Sequence, residues 1–264
     1  MTAIAAALVK ELRDLTGAGM MDCKRALEDT GGDLGAAQTL LREKGISDAA
    51  KRSTRATTEG KVVFEITDES VAAMVAIGCE TEPVSNNEEF VVFAYKVLEA
   101  VRKDGRSAAS SLEEERTALV ARLGENIVVA GEARYVGEEG DSLSAYVHPP
   151  ANKLGVLLHA KGSPDLAYKT AMHIAAAAPL YVTRDAVPAA EVNAEREILS
   201  RQEDVLSKPE QVREKIVQGR LEKWFQAMVL ADQTWIHDTD RRVGDVLEEA
   251  GLQVIEFARF ALAE

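Results

Sequence analysis

Cysteine is scarce in this chain, and its scarcity excludes two common ways of stabilising a fold. The 264 residues contain two cysteines, Cys23 and Cys79, which lie far apart and form no C-x-x-C motif. A disulfide framework needs several cysteines, and a structural zinc site usually needs them in closely spaced pairs. We therefore expect neither, and we expect the protein to work in a reducing compartment, the cytoplasm.

Positive charge, aromatic rings and long apolar runs are also in short supply. The chain has 31 Lys and Arg against 44 Asp and Glu, a net charge of −13, and its aromatic share is 5%. This composition disfavours direct binding to nucleic acid or to anionic lipids. No apolar run reaches the roughly 18 residues that a membrane span needs. The start of the chain also lacks the basic segment of a signal peptide.

The usual motifs of enzyme chemistry are missing as well. The segment Glu59-Gly60-Lys61 lacks the upstream glycine and the hydroxyl residue of a phosphate-binding loop. The four histidines form no i,i+4 pair, and there is no G-x-S-x-G motif. We therefore expect no metal site, no cofactor and no catalytic residue. These absences indicate a binding or regulatory protein rather than an enzyme.

Helical spacing of apolar residues opens the chain. Residues 1–48 predict three short helices, separated at Gly17 and at Gly31-Gly32, with Asp33 capping the third helix and Gly45 ending it. Residues 49–60 are polar and locally basic, which indicates a linker that is helical at its start.

From Lys61 the apolar period changes from helical to strand-like. Residues 62–66 and 71–79 predict a hairpin, and residues 126–135, 142–148 and 154–159 predict three more strands. A strand, a loop and an amphipathic helix occur twice in this order, which is a weak indication of a duplicated α+β core. We predict one subdomain at 61–140 and a second at 141–182 and 229–264.

Charged helices interrupt the second subdomain. Residues 183–228 carry two narrow apolar stripes on either side of a break at Ser207-Lys208-Pro209, which predicts an inserted antiparallel helical hairpin. Its surface could mediate self-association or project into solvent. Capping boxes are predicted at Ser111 with Glu114, and at Ser207 with Glu210.

One segment carries a resemblance to a known family, and it is highly specific. Residues 15–27 resemble bacterial elongation factor Ts, as do residues 123–127, 171–176, 215–221 and 257–260, in the family's order. In this chain the first of these segments reads Leu15-Thr16-Gly17-Ala18-Gly19-Met20-Met21-Asp22-Cys23-Lys24-Arg25-Ala26-Leu27. The resemblance covers essentially the whole chain. It implies an N-terminal three-helix domain of the ubiquitin-associated type, a core of two related α+β subdomains with antiparallel sheets, and an inserted helical hairpin.

The resemblance also implies a function. A protein of this family would bind the GDP form of the GTPase elongation factor Tu, accelerate GDP release and leave when GTP binds. Such a guanine nucleotide exchange factor needs no chemistry of its own. The alternative is a non-exchanging interaction protein, or a chaperone, of the same GTPase.

Four patches match family segments that contact the partner. The segment assigned to displacing magnesium maps onto Thr81, Glu82, Pro83 and Val84. Other contacts map onto an N-terminal patch, a helix end and a single histidine: Arg13, Met20, Met21 and Lys24; Leu123 and Gly124; and His148. Each has a plainer interpretation: a strand-to-helix turn, core packing of one methionine, a helix C-cap, and a surface histidine at a strand end.

The turn departs from the family pattern at two positions. The family's Asp and Phe are replaced here by Glu82 and Pro83. A phenylalanine can wedge between partner side chains, and proline fills less volume. We expect a carboxylate still to reach the partner, with the wedge weaker or supplied by Val84 or Phe90.

Overall fold

A computed structural model describes residues 4–67 and 70–262. Three helices open the chain: α1 (Ala6–Thr16), α2 (Met20–Asp29) and α3 (Leu34–Arg52). They enclose a small core around Leu12, Cys23 and Leu27, all fully buried. The predicted cap at Asp33 is confirmed, since its carboxylate accepts a hydrogen bond from the backbone N–H of Ala36 at 2.9 Å.

The predicted helix end at Gly45 is wrong. Helix α3 continues past Gly45 to Arg52. Gly45 is buried against α6 (Glu113–Leu123), where a β-carbon at this position would lie 3.0 Å from the Cβ of Ala121. Gly45 therefore allows two helices to pack closely. In the sequence, a glycine with this role looks the same as a glycine that ends a helix.

The predicted hairpin belongs to a three-stranded antiparallel sheet, here called sheet A. Its strands are β1 (Glu59–Ile66), β2 (Val71–Cys79) and β3 (Val128–Val136), in the order β1-β2-β3. A short helix α4 (Glu82–Ser85) follows β2, and then comes α5 (Glu88–Asp104). Helices α5 and α6 cover one face of sheet A and form a core with Val75, Ile77 and Phe90. Asn87 caps α5, because its side-chain oxygen accepts a hydrogen bond from the N–H of Glu89 at 2.8 Å.

Sheet B repeats this arrangement. It contains β4 (Asp141–Val147), β5 (Leu154–Lys161) and β6 (Gln253–Ala261) in the order β4-β5-β6, again antiparallel. Helix α7 (Pro164–Ala177) and helix α11 (Val243–Glu249) contribute to the core on one face of it. The α+β class with two small antiparallel sheets is therefore confirmed.

The two sheets pack face to face. Met74 of β2 and Leu157 of β5 lie in one buried cluster between them. Two glycines permit the close approach. A β-carbon at Gly131 would lie 2.5 Å from the ring of Phe260, and one at Gly155 would lie 2.5 Å from Val62. The body thus has four layers, with helices outside and the two sheets inside.

The helical hairpin is present as predicted. It consists of α8 (Ala189–Ser200), a single turn α9 (Glu203–Leu206) and α10 (Glu210–Met228). Its base is held by Arg184, whose guanidinium contacts Asp232 at 2.7 Å and Glu222 at 2.6 Å and lies 4.7 Å from the centre of the Phe225 ring. Among the described residues, no helix is long and apolar enough to cross a membrane.

Both predicted capping boxes are wrong. The hydroxyl of Ser111 donates to the carbonyl of Ala108, and that of Ser207 donates to the carbonyl of Asp204, each at 2.8 Å or less. Helix α6 begins at Glu113, after a 3₁₀ turn over residues 108–112, and Pro209 is the N-cap of α10. Serines in these two places therefore close local turns instead of capping the following helices.

Candidate functional site

The segment from Thr81 to Val84 is a helical turn rather than a loop. Strand β2 ends at Cys79, Thr81 is the extended N-cap of α4, and Pro83 lies in its first turn. Proline suits this position because it lacks the N–H that a first turn cannot bond. The side chains of Thr81, Glu82 and Pro83 are exposed, whereas Val84 packs against the core under sheet A.

A carboxylate from a distant part of the chain holds this turn. Glu125 Oε2 accepts hydrogen bonds from the backbone N–H of Glu80 at 3.1 Å and of Thr81 at 3.0 Å. Its Oε1 accepts from the Thr81 hydroxyl at 2.5 Å. Since β2 ends just before these residues, Glu125 replaces a missing strand partner.

A second carboxylate makes the reciprocal contact. Glu80 accepts a hydrogen bond from the backbone N–H of Asn126 at 2.7 Å and lies 3.4 Å from Arg55. The buried Asn126 amide donates in turn to the carbonyl of Arg55 at 2.9 Å. The turn after β2, the turn before β3 and the segment that follows α3 are thereby tied together.

Leu123 and Gly124 lie beside this junction. Gly124 is the C-cap of α6, with φ +76° and its N–H bonded to the carbonyl of Val120 at 2.9 Å. Leu123 packs against the core, while Gly124 is exposed. The left-handed glycine turns the chain so that the next residue, Glu125, reaches Thr81.

Both methionines of the N-terminal patch face solvent. Met20 is 59% exposed and Met21 is 62% exposed, so the interpretation that one of them is a core residue is wrong. Arg13 on α1 and Lys24 on α2 are exposed as well, and Lys24 lies 3.7 Å from Glu28. Exposed methionines present a flexible apolar surface of the kind that suits a protein partner.

Arg122 brings the N-terminal patch to the same region. Its Nε donates to Glu89 at 2.6 Å, and its methylene groups cover Gly17, where a β-carbon would lie 2.3 Å from the Arg122 Cδ. A second ion pair joins Arg42 of α3 to Glu114 of α6 at 3.0 Å. The turn that leads into Met20 and Met21 therefore sits next to the C-terminal end of α6.

His148 lies at the same end of sheet A. It is exposed just after β4, and its Nδ1 is 2.7 Å from the hydroxyl of Tyr146. The turn that it begins contacts β1 through Lys153, whose Nζ is 2.5 Å from Glu59. Glu59 pairs with Cys79, the residue at the end of β2. Contacts thus connect all four predicted patches around the end of sheet A at which β2 ends.

The structure excludes Phe90 as a replacement for the missing phenylalanine. Phe90 is fully buried in the core under sheet A. Val84 packs against the same core and is only partly accessible. The exposed tip of the turn therefore consists of Thr81, Glu82 and Pro83.

The region around the Thr81 turn has one buried thiol, that of Cys79, and it is poorly nucleophilic. Burial, followed by the charge of Glu125, raises the pKa of the Cys79 thiol to about 12, and a thiol with such a pKa carries little nucleophilic thiolate. Within residues 4–67 and 70–262 no group of three or more His, Cys, Asp or Glu side chains is arranged to hold a metal ion. The region can present shape and charge to a partner.

Four residues whose side chains hold this region together were not predicted from the sequence: Glu80, Arg122, Glu125 and Asn126. Glu125 and Asn126 directly follow the predicted contact residues Leu123 and Gly124. No local pattern indicates that they bond to a turn about 45 residues earlier in the chain. Only the proximity of two predicted turns could have suggested the connection.

Comparison with known proteins agrees with the earlier resemblance. A family model described as elongation factor Ts matches residues 80–264. Elongation factor Ts of Thioalkalivibrio sulfidiphilus is 39% identical over 273 residues, covering 99% of this chain and 92% of that protein. The protein of the same name from Gluconobacter oxydans is 38% identical over 284 residues, covering 100% and 93%. This chain belongs to the elongation factor Ts family.

Proposed function

We propose that this chain binds elongation factor Tu in its GDP-bound form and promotes GDP release by disturbing the magnesium and phosphate site, so that GTP can load. Membership of the family supports a role in translation elongation, which takes place in the cytoplasm. The protein acts as a nucleotide exchange factor and contributes no catalytic chemistry.

One observation carries the proposal: the exposed parts of the predicted patches share one end of the molecule. The Thr81 turn is hydrogen-bonded to Glu125, the residue that follows Gly124. The side chain of Arg122 packs on Gly17, in the turn before Met20. A surface that is already ordered loses less conformational entropy on binding than a flexible one. Such a surface can bind a GTPase at several points at once.

Thermodynamic linkage states what this surface must do. If the factor weakens GDP binding to the GTPase, GDP weakens binding of the factor by the same ratio. Each tenfold loss of nucleotide affinity requires about 1.4 kcal/mol of preferential binding to the distorted GTPase. We assign the distortion to Glu82 and the exposed turn around it, and we assign anchoring to Arg13, Met20, Met21, Lys24, Gly124 and His148.

A second candidate function rests on one specific observation. Pro83 stands where the family has phenylalanine, and the buried Phe90 cannot take its place. A shortened wedge favours a protein that binds the GTPase without accelerating exchange, as an interaction protein or chaperone would. Self-association through residues 183–228 stays a prediction.

Stopped-flow release of fluorescent GDP from the cognate elongation factor Tu separates these candidates. We expect the rate to rise with the concentration of this protein and to saturate, with at least about tenfold acceleration. The GTPase alone with excess unlabelled nucleotide is the control. Binding without acceleration would favour the second candidate, and absence of binding would contradict both.

A further inference from the structure

We propose that Glu125 is a positioning residue that holds the Thr81 turn in the conformation that acts on the GTPase. The inference rests on the proposed function and extends it to a residue that the partner need not touch. Glu125 is partly buried behind the turn, whereas Thr81, Glu82 and Pro83 are exposed in front of it.

The bonding pattern is that of a dedicated clamp. Three donors of the turn converge on one carboxylate, namely the N–H of Glu80, the N–H of Thr81 and the Thr81 hydroxyl. Hydrogen bonds to an ionised acceptor are roughly twice as strong as neutral ones. A neutral glutamine could accept at one oxygen only, and its NH₂ group would meet donors at the other position.

The other restraints on the turn act on its helical part, after the two backbone N–H groups that Glu125 binds. Helix α4 is one turn long, and the Thr81 side chain does not cap it. The internal supports include the bond from the Cys79 thiol to the carbonyl of Thr81 at 3.3 Å and the packing of Val84. Ser85 adds two more, from its N–H to the carbonyl of Thr81 at 3.1 Å and from its hydroxyl to the carbonyl of Glu82 at 2.8 Å. These contacts act on carbonyl groups and on Val84, whereas the backbone N–H groups of Glu80 and Thr81 bond to Glu125. We therefore assign to Glu125 the direction in which Thr81 and Glu82 project.

The clamp is part of a wider junction. Through its neighbour Asn126 it is continuous with Glu80 and with the carbonyl of Arg55, in the segment that follows the N-terminal helices. Since Gly124 directly precedes Glu125, the turn and the helix-end patch keep a constant separation. Binding at one patch therefore orients the other. Loss of the Glu125 carboxylate weakens this coupling and leaves the bond from Asn126 to Glu80 to carry it.

Glu125→Gln tests the inference with a side chain of nearly the same size. We expect the maximal rate of GDP release at saturating factor to fall by about tenfold, because small misplacement of a working group is expensive in rate. The half-saturating concentration should change by less than about twofold, because the anchoring patches remain. Glu139→Gln is the matched control. It removes the same charge from an exposed turn at the opposite end of sheet A, and it should behave as the wild type does.

Amide hydrogen exchange in the free protein supplies a readout that does not depend on the partner. In Glu125→Gln the amides of Glu80 and Thr81 should exchange faster than in the wild type, with the strand amides of β2 unchanged. A residue that merely touched the GTPase would leave these amides protected. Protected amides, or faster exchange with an unchanged maximal rate, would overturn the proposal.

Two further outcomes remain decisive. If Glu125→Gln does not fold, Glu125→Asp keeps the charge but retracts the carboxylate by one methylene. Faster exchange at Thr81 with a lower maximal rate is again expected, and wild-type values for both would contradict the proposal. If the wild-type protein does not accelerate GDP release, the proposed function fails. The amide exchange of Glu80 and Thr81 then decides by itself whether Glu125 holds the turn.

Discussion

Pro83 determines how far the apolar tip of the Thr81 turn can reach. It is exposed in the first turn of α4, where its fixed φ suits the helix. Its apolar neighbours cannot extend the tip, because Phe90 is buried and Val84 packs inward. The apolar surface that the turn offers to a partner therefore depends on this one side chain.

Pro83→Phe should strengthen action on the GTPase. The added ring has no room in the filled core, so a partner is what can bury it. We expect the half-saturating concentration for GDP release to fall by about 5- to 30-fold, equivalent to roughly 1–2 kcal/mol. Stopped-flow titration measures this change. Pro83→Ala adds no surface and should remain within about twofold of the wild type. Identical titration curves for Pro83→Phe and the wild type would show that the tip does not meet an apolar surface.

Helix α3 connects the N-terminal helices to the body through its packing on α6. Gly45 allows the two backbones to approach, and the pair of Arg42 with Glu114 lies at the same contact. The ion pair is exposed and contributes little. Close packing at Gly45 and the contact of Arg122 with Gly17 therefore restrain where Met20 and Met21 stand relative to Gly124.

Gly45→Leu should loosen this contact. A larger side chain at Gly45 meets the Cβ of Ala121, and such a clash costs about 1–3 kcal/mol. Separation of α3 from α6 relieves it. We expect trypsin to cut the following segment, at Arg52 and Arg55, roughly tenfold faster than in the wild type, which corresponds to about 1.4 kcal/mol. Gly35→Leu is the matched control, because Gly35 lies on an exposed part of the same helix. Equal cleavage rates for both variants would mean that Gly45 does not govern docking.

A buried polar junction at the base of the hairpin joins the hairpin to the core around sheet B. His173 of α7 is fully buried, with its Nε2 3.0 Å from the Gln233 amide oxygen and its Nδ1 accepting the N–H of Ile236 at 3.3 Å. The Gln233 amide nitrogen donates to the carbonyl of Ala177, the last residue of α7, and to that of Ala227, the next-to-last residue of α10. Core and hairpin therefore share one set of hydrogen bonds.

This junction should make stability sensitive to mild acid. Burial lowers the pKa of His173 below its ordinary value of 6.5, despite its bond to Gln233. The unfolded chain therefore takes up this proton more readily than the folded one. The contribution is complete above about pH 6.5 and is lost as the pH falls from there toward the folded-state pKa. Each pH unit between the two pKa values is worth about 1.4 kcal/mol.

Denaturant unfolding between pH 7 and pH 5 measures this loss. Wild-type protein should lose more unfolding free energy over this range than His173→Gln, which cannot take up the proton. His148→Gln removes an exposed histidine outside this junction and should retain the wild-type slope. Parallel curves for wild type and His173→Gln would contradict the assignment. The paired carboxylates with lowered pKa values, such as Asp22, titrate below this range in all variants.

Local periodicity was sufficient for the elements. The three N-terminal helices, the first five strands, the hairpin and the C-cap at Gly124 were all predictable, because each depends on residues within a few positions. Predictions failed where one local signal serves two purposes. Gly45 carries the signature of a helix end but allows helix packing, and Ser111 carries that of a capping box but closes a 3₁₀ turn.

The sequence by itself determined the family, the α+β class and the order of the elements, since these follow from periodicity and from matched segments along the chain. Tertiary structure alone decided that the patches share one end, that both methionines are exposed and that Phe90 is unavailable as a wedge. It also placed Glu125 on Thr81. These facts depend on contacts between residues remote in the chain, and such contacts leave no mark in local spacing.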